Sequence, residues 1–272
     1  MSITDEKKYL TDKYATAERM TASDLRMITA LLRSPEGCPW DREQTHESVR
    51  DNFIEETYEV IEAIDNRDPV LMCEELGDVL LQVMFHARME EERGGFSLDD
   101  VYDGICRKLI LRHPHVFGEN VLDKSSEVLV KWEEIKSEEK GYKSYADDLY
   151  DVVRSLPELK RAEKIQKRAA KAGFDWEDSA SVKEKIEEEL SELSEAMENG
   201  TNVKEEIGDL LFTVVNLARK EGIDAEEALS DANKKFIARF DKMEKLYSGE
   251  KDFADVPMEE KNVLWEKSKQ NG

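Results

Sequence analysis

Apolar residues recur at helical spacing along most of the chain, and the breaks between those runs mark out the elements. In 24–33, Leu25, Ile28 and Leu32 fall on one face, with Ser23 in place to cap the helix. The breakers in SPEGCPWD, 34–41, read as a loop. The next helix, 47–65, carries Val49, Phe53, Val60, Ile61 and Ile64 among acids. Asp68-Pro69 opens a longer one, with Pro at the first helical position, that runs to Gly94-Gly95. Leu98–Leu111 is helical, HPHVFGEN at 113–120 is a loop, 124–139 is a charged helix, and GYKSYADD at 141–148 is a linker.

The second half has the same style. Pro157 opens a helix to Ala172, GFDWEDS at 173–179 is a loop, and an acidic helix over 181–198 ends at Asn199-Gly200. Helices at 202–221 and 224–247 follow, then a short one after Pro257. No alternating strand pattern of useful length occurs, so the expected fold class is all-α, two tandem helical bundles. The expected division is an N-terminal extension (1–22), a first repeat (23–140), a linker (141–156) and a second repeat (157–272).

The repetition extends to individual residues. Glu55-Glu56-Thr57-Tyr58-Glu59 returns as Glu188-Glu189-Leu190-Ser191-Glu192, offset by 133, and Glu75-Leu76-Gly77-Asp78 as Glu206-Ile207-Gly208-Asp209, offset by 131. Lys108 and Arg112 match Lys235 and Arg239, and Trp132 and Lys136 match Trp265 and Lys269. One such pairing in a Glu-rich chain is accidental. Four in the same order identify an internal duplication.

Composition fits long helices with solvated faces. The chain has only 13 Gly and 6 Pro, against 38% charged residues. A net charge of −23 argues against binding a nucleic-acid polymer or an anionic membrane. It leaves room for a smaller polyanion held through metal ions. The three cysteines have neither zinc-site nor redox spacing. There is no apolar run near ~18 residues, and MSITDEKKYLTDKY lacks the apolar core of a signal peptide. The expected setting is a reducing cytoplasm.

The acids are where the chemistry lies. Residues three or four apart share a helical face, so Glu189 projects with Glu192, and Glu206 with Asp209. If their helices pack antiparallel, four carboxylates converge and repel unless protonated or bound to cations. All-oxygen ligands suit Mg²⁺ or Mn²⁺, which share their shell with phosphates. A lone EXXE is more often a solvated face, but here Glu206 and Asp209 run directly into Leu210, Leu211 and Phe212. Gly208 and Gly77, between the acids of each EXXD, would let another backbone approach closely. Glu56, Glu59, Glu75 and Asp78 form the same set in the first repeat, so ligand count leaves either repeat able to bind metal. A di-iron bundle needs Glu-x-x-His pairs on facing helices, and only Glu43–His46 has that spacing, in a loop with no counterpart. Phosphate loops, dinucleotide loops, HEXXH and GXSXG motifs are absent. Each repeat also buries little apolar surface alone, so pairing of repeats, within a chain or as a homodimer, is expected.

With CPWD at 38–41, RHPHVFG at 112–118 and ANKKFIARF at 232–240, the two EEXXE…EXXD units resemble the tandem-repeat MazG nucleoside triphosphate pyrophosphohydrolases over roughly residues 24–270. The resemblance implies an all-α, dimeric, Mg²⁺-dependent enzyme that cleaves nucleoside triphosphates to monophosphate and pyrophosphate. It implies metal-assisted attack of water at the α-phosphate. It assigns Glu189, Glu192, Glu206 and Asp209 as metal ligands, with Glu188 beside them to orient or deprotonate the water. Lys185 and Glu188 would contact nucleotide, as would Lys204 and Glu205 on the next helix and Lys235, Arg239, Trp265 and Lys269 beyond it. The preference for the second repeat as the catalytic one rests on this resemblance. One departure is Asn202, where the family often has Lys; Lys204 is the nearby cation. The competing reading from another class is a helical module that senses metal or nucleotide without turnover.

Overall fold

Thr21, rather than Ser23, starts the helix that the apolar pattern places at 24–33. In the computed structural model its side chain accepts from Asp24 N while Asp24 accepts from Thr21 N, a reciprocal cap for α2 (Ala22–Leu32). The same carboxylate pairs with Lys13 at 2.7 Å and is buried. Residues 1–22 therefore supply a helix, α1 (Ile3–Ala15), that packs on α2 through the shared Asp24.

The structure describes residues 2–118, 124–249 and 252–269. It is all-α, with no strand among the described residues. Among the described residues no helix is long and apolar enough to cross a membrane. It divides into two compact units, Met1–Lys136 and Ser137–Gly272.

The first unit centres on a hairpin of α4 (Arg50–Asp65) and α5 (Pro69–Arg93). Asp68 caps α5 through Val70 N and Leu71 N, Pro69 takes the first position, and Gly94 ends the helix at φ 76°. These are the signals the sequence carries at those positions. Both α2 and α6 (Leu98–Arg112) pack on α5, where Met84, Ala87 and Leu98 form a core with Leu25 against it. Two loops expected from breakers are shorter than expected. SPEGCPWD runs into α3 (Pro39–Glu43), and Pro114–Phe117 makes one turn, α7. Glu119 and Asn120 lie outside the described residues. The charged helix α8 (Ser125–Lys140) crosses the boundary between the units.

In the second unit the expected linker holds α9 (Tyr145–Tyr150), capped reciprocally by Ser144 and Asp147. Then come α10 (Glu158–Lys171), α11 (Ser179–Asn199), α12 (Val203–Lys220), α13 (Ala225–Leu246) and α14 (Met258–Lys269). The hairpin of α11 and α12 matches that of α4 and α5, with Gly200 at φ 66° closing α11. Here α10 packs on α12 and α13, and α14 packs on α13.

Both hairpins leave apolar residues in solvent. Ile54, Tyr58, Ile61 and Leu80 are exposed in the first, and Leu190, Ile207, Leu211 and Phe212 in the second. Gly77 and Gly208 lie on these faces. Contrary to the close approach expected at them, a methyl group on either would meet nothing within 4 Å in its own chain.

Candidate metal centre

The hairpin registers bring the repeated acids together. From α11, Glu189 and Glu192 meet Glu206 of α12, with carboxylate oxygens all within 4.8 Å of one another. From α4 and α5, Glu56, Glu75 and Asp78 meet within the same limit. Glu75 and Glu189 are buried. Each trio omits one expected ligand. Asp209 stands exposed at the rim of the second. Glu59 lies beside the first, and after burial its carboxylate helps to raise the pKa of Glu56 and Glu75.

Crowding shows in the electrostatics. Burial first, then the neighbouring carboxylates, push Glu56 and Glu75 above the ordinary carboxylate range, and Glu206 likewise. Converging oxygen ligands destabilised as anions fit a hard divalent cation, which removes the repulsion. The donor set has no His or Cys within it.

The two centres differ in one cation. Lys185 Nζ lies 2.8 Å from Glu188 Oε1 and 2.8 Å from Glu189 Oε1, and these bonds hold it well above the usual lysine range. At the repeat offset the first unit has Asn52. The other basic residues lie on α12, α13 and α14. Lys235 and Arg239 lie on α13 with Phe236, whose ring packs on Trp265 of α14 at 5.3 Å. Lys269 pairs with Glu266 at 2.6 Å. Lys204 and Glu205 are exposed on the first turn of α12. Among the described residues no hydrogen bond or ion pair joins these groups to the carboxylate trio. In the first unit the counterparts are packed differently. Arg112 is buried, and its guanidinium and the Lys136 ammonium lie 5.1 and 5.5 Å from the Trp132 ring.

Comparison with known proteins identifies the family. The model of the MazG nucleotide pyrophosphohydrolase domain matches residues 44–117 and 177–243. A Thermotoga maritima protein named nucleoside triphosphate pyrophosphohydrolase/pyrophosphatase MazG is 49% identical over 249 residues, covering 90% of this chain and 94% of that one. The Escherichia coli (strain K12) nucleoside triphosphate pyrophosphohydrolase is 44% identical over 252 residues, 90% of this chain and 96% of that one. Bacillus subtilis YabN, of uncharacterised function, is 46% identical over 253 residues, 91% of this chain and 51% of that protein.

The chain belongs to the MazG family.

The two MazG segments fall on the two hairpins and the helix after each, so they contain both carboxylate sets. Trp265 and Lys269, on α14, lie outside the matched residues.

Sequence reasoning misses the contacts that fasten each MazG hairpin at the end away from its turn. In the second unit Asp175 of the GFDW loop pairs with Arg219 and Lys220 of α12. Burial alone would raise this carboxyl, but the two cations hold it below its ordinary value. In the first unit His46 bonds to His86 and Glu90 of α5. The available signal is modest: His86 and Glu90 are four apart on α5, so they share a face.

Proposed function

We propose that this MazG protein is a Mg²⁺-dependent nucleoside triphosphate pyrophosphohydrolase, converting NTP and water to NMP and pyrophosphate at the second unit. The reading rests on the trio of Glu189, Glu192 and Glu206 converging within 4.8 Å. The names of the relatives that match nearly their full length support it. Glu189, Glu192 and Glu206, with Asp209 at the rim, would hold the ion, with Mn²⁺ as a substitute. When bound, the ion neutralises phosphate oxygens and polarises the α-phosphorus.

The chain's own residues do the rest. Lys185 fixes the buried Glu189 and offers its charge to the triphosphate. Glu188 is exposed and outside the trio; Lys185 holds its Oε1, and its other oxygen is placed to take the proton of the attacking water. Lys235 and Arg239, with no ion pair among the described residues, receive the leaving pyrophosphate. Lys204, Glu205 and Lys269 line the substrate, and Trp265 stacks on its base. The exposed apolar faces of the hairpins close in a homodimer, in the cytoplasm.

Product analysis tests this directly. The full chain, given each nucleoside triphosphate with Mg²⁺, should release monophosphate and pyrophosphate in equal amounts, and chelation should stop it. Diphosphate with inorganic phosphate, or no turnover, rejects the reading.

A further inference from the structure

His46 Nδ1 and His86 Nδ1 face each other at 2.7 Å, with the two rings parallel within 4° and their centroids 5.0 Å apart. On its other side His46 Nε2 is 2.7 Å from Glu90 Oε1. The carboxylate fixes that nitrogen as a donor, so Nε2 of His46 carries a proton. The facing pair then has two workable states. In one, His86 Nδ1–H donates to His46 Nδ1 and both rings are neutral. In the other, His46 is an imidazolium whose Nδ1–H donates to His86. A second added proton puts two N–H groups nose to nose, and the contact cannot persist.

The position of the pair gives the contact a consequence. His46 lies in the segment between α3 and α4, four residues before α4 begins, and His86 lies on α5. Phe53, on the first turn of α4, packs on His86 at 5.8 Å. The contact therefore fastens the open end of the α4–α5 hairpin. Other charged groups nearby are Arg93 of α5, 3.8 Å from Glu90, and Glu47 of the segment itself. From α2, Arg33 donates to Gln44 O and pairs with Glu92 of α5. From α4 the facing group is the uncharged Phe53. The second unit uses a different fastener at this end. At the repeat offset Leu217 stands for His86, and the GFDW loop is held by the Asp175 ion pairs. Those pairs keep their charges throughout the range where histidine titrates.

We propose that the first unit carries a proton-operated clasp: the His46–His86 contact holds segment 44–53 to α5, and double protonation releases it. The second unit has no such response. Burial, with repulsion from His46, lowers the basicity of His86, as expected of a pair that resists its second proton. The sign follows: a histidine depressed in the fold favours the closed clasp at neutral pH, and that contribution is lost as pH falls through its folded value.

Hydrogen exchange on the full chain, corrected for the intrinsic pH dependence of exchange, tests the proposal. Protection of 44–53 should fall about tenfold between about pH 7.5 and about pH 5.5, while protection of 174–183 stays level. His86→Leu, which copies the second unit, should abolish the difference between the two pH values. Equal loss in both segments, or a pH response surviving in His86→Leu, overturns it. Should His86→Leu fail to fold, imidazole C–H NMR of the unaltered chain decides, since the protein has only 4 histidines. Two coupled steps for His46 and His86 support the clasp, and independent titration of both near the ordinary value, ~6.5, rejects it.

Discussion

Lys185 holds the most buried carboxylate of the second centre, its Nζ 2.8 Å from Glu189 Oε1, one helical turn away on α11. The ammonium offsets repulsion that the first centre, with Asn52 at this position, leaves uncompensated. Lys185→Met should therefore lower the stability of the metal-free protein by about 1 kcal/mol. The same change should enlarge the stabilisation on adding Mg²⁺, because the ion then relieves more repulsion. Thermal melts with and without Mg²⁺ measure both, and a smaller Mg²⁺ response in the variant contradicts the assignment.

The raised carboxyls set a pH dependence of definite sign. Glu56, Glu75 and Glu206 bind protons more tightly folded than unfolded, from the ordinary glutamate value of 4.5 upward. In that window the native state holds more protons, so stability falls as pH rises. Without metal, the melting temperature should drop from mildly acidic to neutral pH. Mg²⁺ should flatten that slope by replacing the protons. A metal-free slope of opposite sign would show that the trios are not repulsive.

The hairpins and most of the acid convergence are legible in sequence, because caps and three-residue spacing act locally. Asp68-Pro69 and Asn199-Gly200 fix helix ends by backbone chemistry that needs no tertiary partner. Which acid each trio omits is not legible. Glu56 and Glu75 are separated by 19 residues, but Glu189 and Glu206 by 17, and the helix register differs accordingly. Asp78 reaches its trio, whereas Asp209 stays at the rim. The fasteners at Asp175 and His46 join loops to helices, and a loop has no period from which to read its partner. Thr21 escapes notice because Ser23 is an equally good cap by residue type, and the choice turns on Asp24, which also serves Lys13.

Carboxylate-to-amide changes assign the active unit. Glu192→Gln removes an anion from the second trio while keeping its shape, and should lower turnover at least about 100-fold. Glu59→Gln changes the first unit beside its trio and should leave turnover within about twofold. Steady-state rates with saturating nucleotide and Mg²⁺ make the comparison. Equal loss from the two variants would contradict the placement of catalysis in the second unit.

The repeated arginines should separate stability from activity. Arg112 is buried over the Trp132 ring, so Arg112→Leu strips a packed cation and should cost about 2 kcal/mol. Arg239 sits on α13 with no ion pair among the described residues, so Arg239→Leu should change stability by less than about 0.5 kcal/mol. Its cost should fall on kcat/KM, by about tenfold or more, because it removes a charge meant for phosphate. Denaturant unfolding and kinetics on both variants test this; a reversed order of stability loss would reject it.

The apolar faces give the last prediction. Phe236 and Ile237 are 58% and 67% exposed on α13, and Leu211 and Phe212 are exposed on α12. Uncovered apolar residues in such number are a cost to an isolated chain and a gain to a pair, about 25 cal/mol for each Å² removed from water. The protein should therefore run as a dimer by light scattering at micromolar concentration. Leu211→Asp places a charge on the exposed hairpin face where the partner would pack and should shift the equilibrium toward monomer. Its helical signal should be retained, since the residue contributes little to the core of its own unit. A monomeric parent protein, or a variant that stays fully dimeric, would show that another surface or none is used.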